Sequence, residues 1–234
     1  MLNIIGVSCK RHDMLRDIRP QEVLEALELG EIESGRGLNQ EIGLARPGDT
    51  RWGSHYRTIL HIISMYSTIR KVLMQLEKDL SQKNDWPKMH AMVGAFESFN
   101  FVFNAHLMLV ILGYTDELSQ SLQKRDQDII NAMALVNLAK NRMQRMRCDG
   151  WEEFLQEKVT SFCTKYDIKV PKPDNRYVPY GRSSRFYQKQ TNDDHFRREV
   201  YLGIIDNVLQ EFDNRFDKVN MELLVCMSAL NPLN

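Results

Sequence analysis

Apolar residues recur along this chain at threes and fours, and the strict alternation of a half-buried strand is scarce. In the first segment, Arg11 to Leu29, the residues Leu15, Ile18, Leu24 and Leu27 stand among charges, and Gly30 reads as a stop. Pro20 should divide that segment, because proline opens a helix easily and disrupts a helix interior. A longer stripe follows: Trp52, Tyr56, Ile59, Ile63, Tyr66, Leu73, Leu76 and Leu80 predict one amphipathic helix running to about Lys83, capped by Asp49 or Thr50.

Asn84-Asp85-Trp86-Pro87 restarts the pattern, with Asp85 as cap and Pro87 in the first turn. From Lys88 to Leu112 apolar residues fall on nearly every side, which predicts a helix buried among others, ended by Gly113. Thr115 would cap the next helix, which carries Leu118, Leu122, Ile129, Met133, Val136 and Met143 and ends near Cys148-Asp149-Gly150. A shorter helix holds Trp151, Phe154, Leu155, Val159 and Phe162. The last starts near Asn192 with Asp193 and Asp194 and carries Phe196, Val200, Ile204, Val208, Phe212 and Phe216; Val219, Leu223 and Met227 follow after a break or in continuation.

The pattern therefore predicts an all-α fold of long amphipathic helices with one long irregular loop. It divides into an N-terminal helical segment (1–32), a Gly-rich connector (33–49), a helical domain (50–166), a loop (167–191) and a C-terminal helical segment (192–234). In the loop, Pro171, Pro173, Pro179 and Gly181 exclude a helix. Lys169, Lys172, Arg176, Arg182, Arg185 and Lys189 make it basic, and Tyr177, Tyr180, Phe186 and Tyr187 add aromatics.

Composition narrows the chemistry. Lys+Arg and Asp+Glu each total 31, so the basic excess of a dedicated DNA-binding domain is missing and any nucleic-acid surface must be local. The four cysteines (Cys9, Cys148, Cys163, Cys226) form no CxxC pair, and Cys9-Lys10-Arg11-His12 is half of a zinc site without a second half. No apolar run approaches the ~18 residues of a membrane span, and no secretory signal is evident. A reduced compartment, nucleus or cytoplasm, is expected. Gly35 and Gly37 lack the Lys-Ser/Thr pair and the preceding strand of a phosphate-binding loop. Asp126 and Asp128, two apart on a helix, point to different faces, and Asp193-Asp194 suits a helix start. His106, on an apolar helix, reads as a satisfied core residue. No cofactor, metal site or small-molecule site is expected.

Two stretches resemble a known family. Glu33-Ser34-Gly35-Arg36-Gly37-Leu38-Asn39-Gln40-Glu41, joined to Arg46-Pro47-Gly48-Asp49-Thr50-Arg51-Trp52-Gly53-Ser54-His55-Tyr56, is similar to plant zinc finger MYM-type protein 1-like proteins, relatives of hAT transposases. Ser8-Cys9-Lys10-Arg11, Asp13-Met14-Leu15-Arg16, Thr191-Asn192 and Asn214-Arg215-Phe216-Asp217-Lys218-Val219-Asn220 resemble the same proteins. The resemblance implies the helical insertion of a ribonuclease-H-like core. It further implies that both catalytic aspartates lie before this chain and the glutamate after it, leaving no catalytic residue and no cleavage of DNA. Nuclear localisation is implied by the resemblance alone.

The family's tryptophan near the transposon end points to Arg51 and Trp52 as a nucleic-acid contact; the competing reading makes Trp52 the first member of an apolar stripe. Arg176, Arg182, Arg185 and Lys189 in the loop are further candidates, with phosphates neutralised by the cations and bases stacked on the aromatics. A solvated linker explains the same composition. The expected partner is DNA, bound weakly, or alternatively a protein or a second copy, met through exposed apolar helix faces.

Overall fold

The computed structural model describes residues 13–20, 44, 48, 52–80, 84–124, 129–179 and 190–216. Among them are eight helices and no strand, so the fold is all-α. Chain contacts divide the molecule into two compact units, Met1–His106 with Tyr166–Ile168, and Leu107–Lys165 with Lys169–Asn234. The division falls inside the segment 50–166 that the sequence groups together.

In the first unit the described residues 13–20 are helical (α1), with Leu15 buried; the residues after Pro20, where a division was expected, lie outside the described residues. The long helix expected from Trp52 onward is two helices, α2 (Trp52–Ser64) and α3 (Tyr66–Asp79), broken at Met65. Two hydroxyls return to carbonyls of their own helix, Thr58 to Ser54 at 2.9 Å and Ser64 to His61 at 3.1 Å. Such back-bonding competes with the amide ladder and bends helices. The break also turns the buried face: Thr58, Ile62, Met65, Tyr66, Ile69, Val72, Leu73 and Leu76 are buried, whereas Ile59 and Ile63 of the expected stripe are half-buried.

Helix α4 (Trp86–Phe96) starts after Asp85 with Pro87 in its first turn, as its sequence predicts, although the Asp85 side chain makes no cap hydrogen bond. The apolar helix expected to follow is interrupted by a 58° bend before α5 (Phe99–Leu122). Ser98 makes the bend: its hydroxyl donates to the Ala95 carbonyl at 2.6 Å and accepts the Phe101 amide at 3.2 Å, as an N-cap does. Tyr66 fastens α3 to α4, with its ring stacked on Phe96 at 4.5 Å and its hydroxyl donating to the Phe96 carbonyl at 3.0 Å. That bond satisfies a carbonyl which a helix C-terminus otherwise leaves unpaired. His106 is buried, its Nδ1 2.8 Å from the Val102 carbonyl. No single described helix is long and apolar enough to cross a membrane; α4 and α5 are so only as a bent pair.

In the second unit α5 runs through Gly113 and Thr115, where an end was expected. The Thr115 hydroxyl donates to the Leu112 carbonyl at 3.0 Å and caps nothing. Ile111, Leu112 and Leu118 are buried on both sides of Gly113, and burial of that size exceeds the ~1 kcal/mol that glycine costs inside a helix. Helix α6 spans Ile129–Asp149. Helix α7 comprises Trp151–Glu153, a π-helical Phe154–Thr160 and Ser161–Lys165. Helix α8 joins a π-helical Asp194–Leu202 to Gly203–Arg215.

The two π-helical turns explain where the expected stripes slip. An i→i+5 turn holds one residue more than an α turn, so the buried face advances by five positions. In α7 the buried series is Phe154, Val159, Cys163; in α8 it is Phe196, Tyr201, Ile205, Phe212. Uniform α spacing instead selects Phe162, and Val200 with Ile204, all of which are half-buried.

Tyr201 is the centre of this unit. It is fully buried, edge-on to Trp151 at 5.1 Å and tilted against Phe154 at 5.3 Å. Its hydroxyl donates to the Met146 carbonyl at 2.8 Å, and burial raises its pKa well above the ordinary phenol value, so it stays a donor. The α6–α7 corner closes at Gly150, where an added Cβ would stand 2.7 Å from the Met146 carbonyl oxygen and 3.0 Å from the Tyr201 hydroxyl. Outside this core, Arg147 pairs with Asp206 and Lys140 with Asp213, which sets α6 and α8 antiparallel.

Gly150 has φ −82° and ψ −4°, dihedrals that alanine adopts readily, so Gly150→Ala would be neutral or stabilising if conformational entropy alone decided it. Because the methyl group overlaps backbone, Gly150→Ala is expected to destabilise the unit by about 1–3 kcal/mol. Urea unfolding measures the sign.

Candidate functional site

Of the residues singled out from the sequence, Arg51, Arg182, Arg185 and Lys189 lie outside the described residues, as do Asp126, Asp128, most of the Gly-rich connector and the continuation after Phe216. Trp52 is the first residue of α2. Next to it, Gly48 is tied to the first turn of that helix: its amide donates to the Ser54 hydroxyl at 2.9 Å, and the hydroxyl donates to the Gly48 carbonyl at 3.1 Å. Of the turn expected at Arg46-Pro47-Gly48-Asp49 only Gly48 lies among the described residues, and it is bonded to Ser54, two residues past Trp52.

Arg176 is exposed and lies on the described part of the basic segment. That part is built. Arg176 and Thr191 form an isolated antiparallel bridge, the Tyr177 amide donates to the Gln190 carbonyl at 2.8 Å, and the Asn192 amide donates to the Asn175 carbonyl at 2.9 Å. The Asn192 side chain, buried, donates to the Lys172 carbonyl at 2.8 Å. The Asp193 amide reaches the Pro173 carbonyl at 3.1 Å. Residues 172–177 and 190–193 therefore make a neck fixed to the start of α8, and the sequence between them leaves and returns at one place.

The start of α8 is itself locked. Thr191 and Asp194 form a reciprocal capping box: the Thr191 hydroxyl accepts the Asp194 amide at 3.1 Å, and the Asp194 carboxylate accepts both the Thr191 amide and hydroxyl. These bonds, the hydroxyl's first, hold the Asp194 carboxyl below its ordinary pKa, aided by Arg198 at 2.8 Å. Tyr177 stacks on His195 with ring centres 3.6 Å apart, and His195 Nδ1 lies 3.2 Å from Glu199. Glu199 is held below the usual carboxylate range by Gln190 and then by His195.

The sequence places Tyr177 among the loop aromatics and leaves His195 as one scattered histidine. Their pairing spans a separation for which a single sequence carries no signal. The loop and the C-terminal helix meet there, so the basic segment has a rigid base even though its cations and prolines read as linker.

A second feature was not expected. In the second unit α5, α6 and α7 surround an open cleft of about 290 Å³, with Val110, Met146 and Phe154 as its floor and charged side chains of α6 and α7 at its mouth. Among the described residues no group of three or more His, Cys, Asp and Glu is placed to hold a metal ion. Cys163 is buried, and burial pushes its thiol up to about 11; Cys148 is exposed.

Comparison with family models, with curated proteins and with solved structures finds no match to this chain.

The Asn192 side chain is the buried tie between the neck and α8. Asn192→Ala is expected to cost about 1 kcal/mol in urea unfolding, because the Lys172 carbonyl loses its donor. No change in the unfolding midpoint would show that the tie contributes nothing.

Proposed function

We propose that this chain is a catalytically inactive, helical, hAT transposase-derived protein whose remaining biochemical role is weak binding of DNA through the basic segment. The observation that carries the reading is the neck: an exposed Arg176 held in a paired backbone at the foot of a sequence that also contains Arg182, Arg185 and Lys189. A fixed base lowers the entropy lost when the segment is ordered on a phosphate backbone. The family resemblance around Arg51-Trp52 supports the same class of ligand, since a tryptophan stacked on a base contributes ~1–3 kcal/mol. The equal counts of acidic and basic residues, 31 each, fit weak and local binding.

A gel-shift series over salt concentration tests this. The wild-type chain should shift DNA at low salt, with affinity falling as salt rises. Replacing Arg176, Arg182, Arg185 and Lys189 by Ala should flatten the slope of log affinity against log salt by roughly 0.7–0.9 for each phosphate contact removed. With Mg²⁺ or Mn²⁺ present the DNA should remain uncut. Absence of any shift at low salt overturns the DNA reading, and metal-dependent cleavage lost on changing one carboxylate overturns the inactive one.

One observation favours a second reading, a helical module that binds a protein or itself. Ile130 (63% exposed) and Leu138 (46%) stand eight residues apart on α6, a spacing that puts both on one side of the helix. Under this reading the sedimentation coefficient rises with concentration, and Ile130→Glu with Leu138→Glu abolishes the rise. A concentration-independent monomer excludes self-association.

A further inference from the structure

We infer that the cleft walled by α5, α6 and α7 is a binding site for a small zwitterion with an apolar side chain, a free amino acid such as phenylalanine. This goes beyond the DNA reading and does not depend on it. The cleft's volume of about 290 Å³ lies just below the ~300–1,000 Å³ range of small-molecule sites, which suits a ligand as small as an amino acid.

Its floor is apolar. Met146 and Phe154 are buried at 7% and 4% exposure, and Val110 is half-buried beside them. An apolar side chain laid there removes carbon surface from water on both partners. The mouth carries charges of both signs. Arg145, Asp149, Glu153 and Lys158 all line it, all are exposed, and none makes an ion pair among the described residues. Arg145 and Asp149 even stand at the i,i+4 spacing at which opposite charges ordinarily pair along a helix. Arg142, also at the mouth, is engaged by Glu117 of α5 at 2.6 Å and adds no unpaired charge.

Two unpaired cations and two unpaired carboxylates around one apolar floor match a ligand with one carboxylate and one ammonium. Arg145 or Lys158, at either end of the lining, would take the carboxylate as a charge-assisted donor. Asp149 and Glu153 would take the ammonium. A simple fatty acid or amine would leave one of the two sets without a partner.

Titration of the full chain with L-phenylalanine, 3-phenylpropanoate (no ammonium) and phenethylamine (no carboxylate), followed by amide chemical shifts, tests the inference. Saturable shifts centred on Met146 and Gly150 are expected for phenylalanine, with each analogue about tenfold weaker. Arg145→Ala with Lys158→Ala should weaken phenylalanine and 3-phenylpropanoate and spare phenethylamine. Asp149→Ala with Glu153→Ala should do the reverse, a crossed pattern that a general loss of structure cannot produce. The wild-type chain alone is decisive should a variant misfold: no saturable shift with phenylalanine, shifts centred elsewhere, or either analogue binding as tightly as phenylalanine overturns the proposal.

Discussion

The hydrogen bond from the buried Tyr201 hydroxyl to the Met146 carbonyl organises the second unit. A phenol taken out of water without a partner is costly, so Tyr201 enters the core only where a carbonyl is available. Helix α6 supplies that carbonyl one turn before its end, at Met146, which also accepts the Gly150 amide at 3.0 Å. The hydroxyl can approach because residue 150 has no side chain. Trp151 and Phe154 then close around the ring, with Arg197 of α8 over the Trp151 face at 5.7 Å. Three helices are fixed by one tyrosine and one glycine.

What lies upstream of Tyr201 on α8 inherits that fixity. The capping box of Thr191 and Asp194, the Tyr177–His195 stack and the Asn192 tie all sit on the first turns of the same helix. The two described ends of the basic segment, 172–177 and 190–193, are held together there although the segment's composition favours disorder. The proposed DNA contact rests on this relation between a helix start and a loop. The apolar floor of the α5–α6–α7 cleft rests instead on Tyr201 itself, which bonds to the Met146 carbonyl and packs against Phe154.

Much of the helical class was legible because apolar spacing reports burial directly. Asp85 with Pro87, Gly150 as a separator and Asn192 as a start are local signals, and each marks a boundary in the structure. The misread places share another cause. The breaks at Met65 and Ser98 go with hydroxyl–carbonyl bonds of Thr58, Ser64 and Ser98 whose geometry does not show in hydropathy, and Gly113 and Thr115 lose to the burial of their neighbours. The two π-helical turns shift the stripe by one residue, so Phe162, Val200 and Ile204 were expected where Cys163, Tyr201 and Ile205 are buried. Of the candidate site, the composition of the loop was readable and its neck was not, because bonds such as Tyr177 to Gln190 and Asn192 to Lys172 join positions with no periodic relation. The cleft was invisible for a similar reason: its charges come from different helices and look like ordinary solvated faces.

The central claim is that the neck belongs to the same cooperative structure as the Tyr201 core. Native-state hydrogen exchange on Tyr201→Phe measures this most directly. That substitution removes the hydroxyl from Met146 and leaves every residue of the neck in place. If neck and core open together, the Tyr177 and Asn192 amides should lose protection by the same factor as the core amides Gly150 and Phe154. Loss of protection at Gly150 and Phe154 with unchanged protection at Tyr177 and Asn192 would contradict the account.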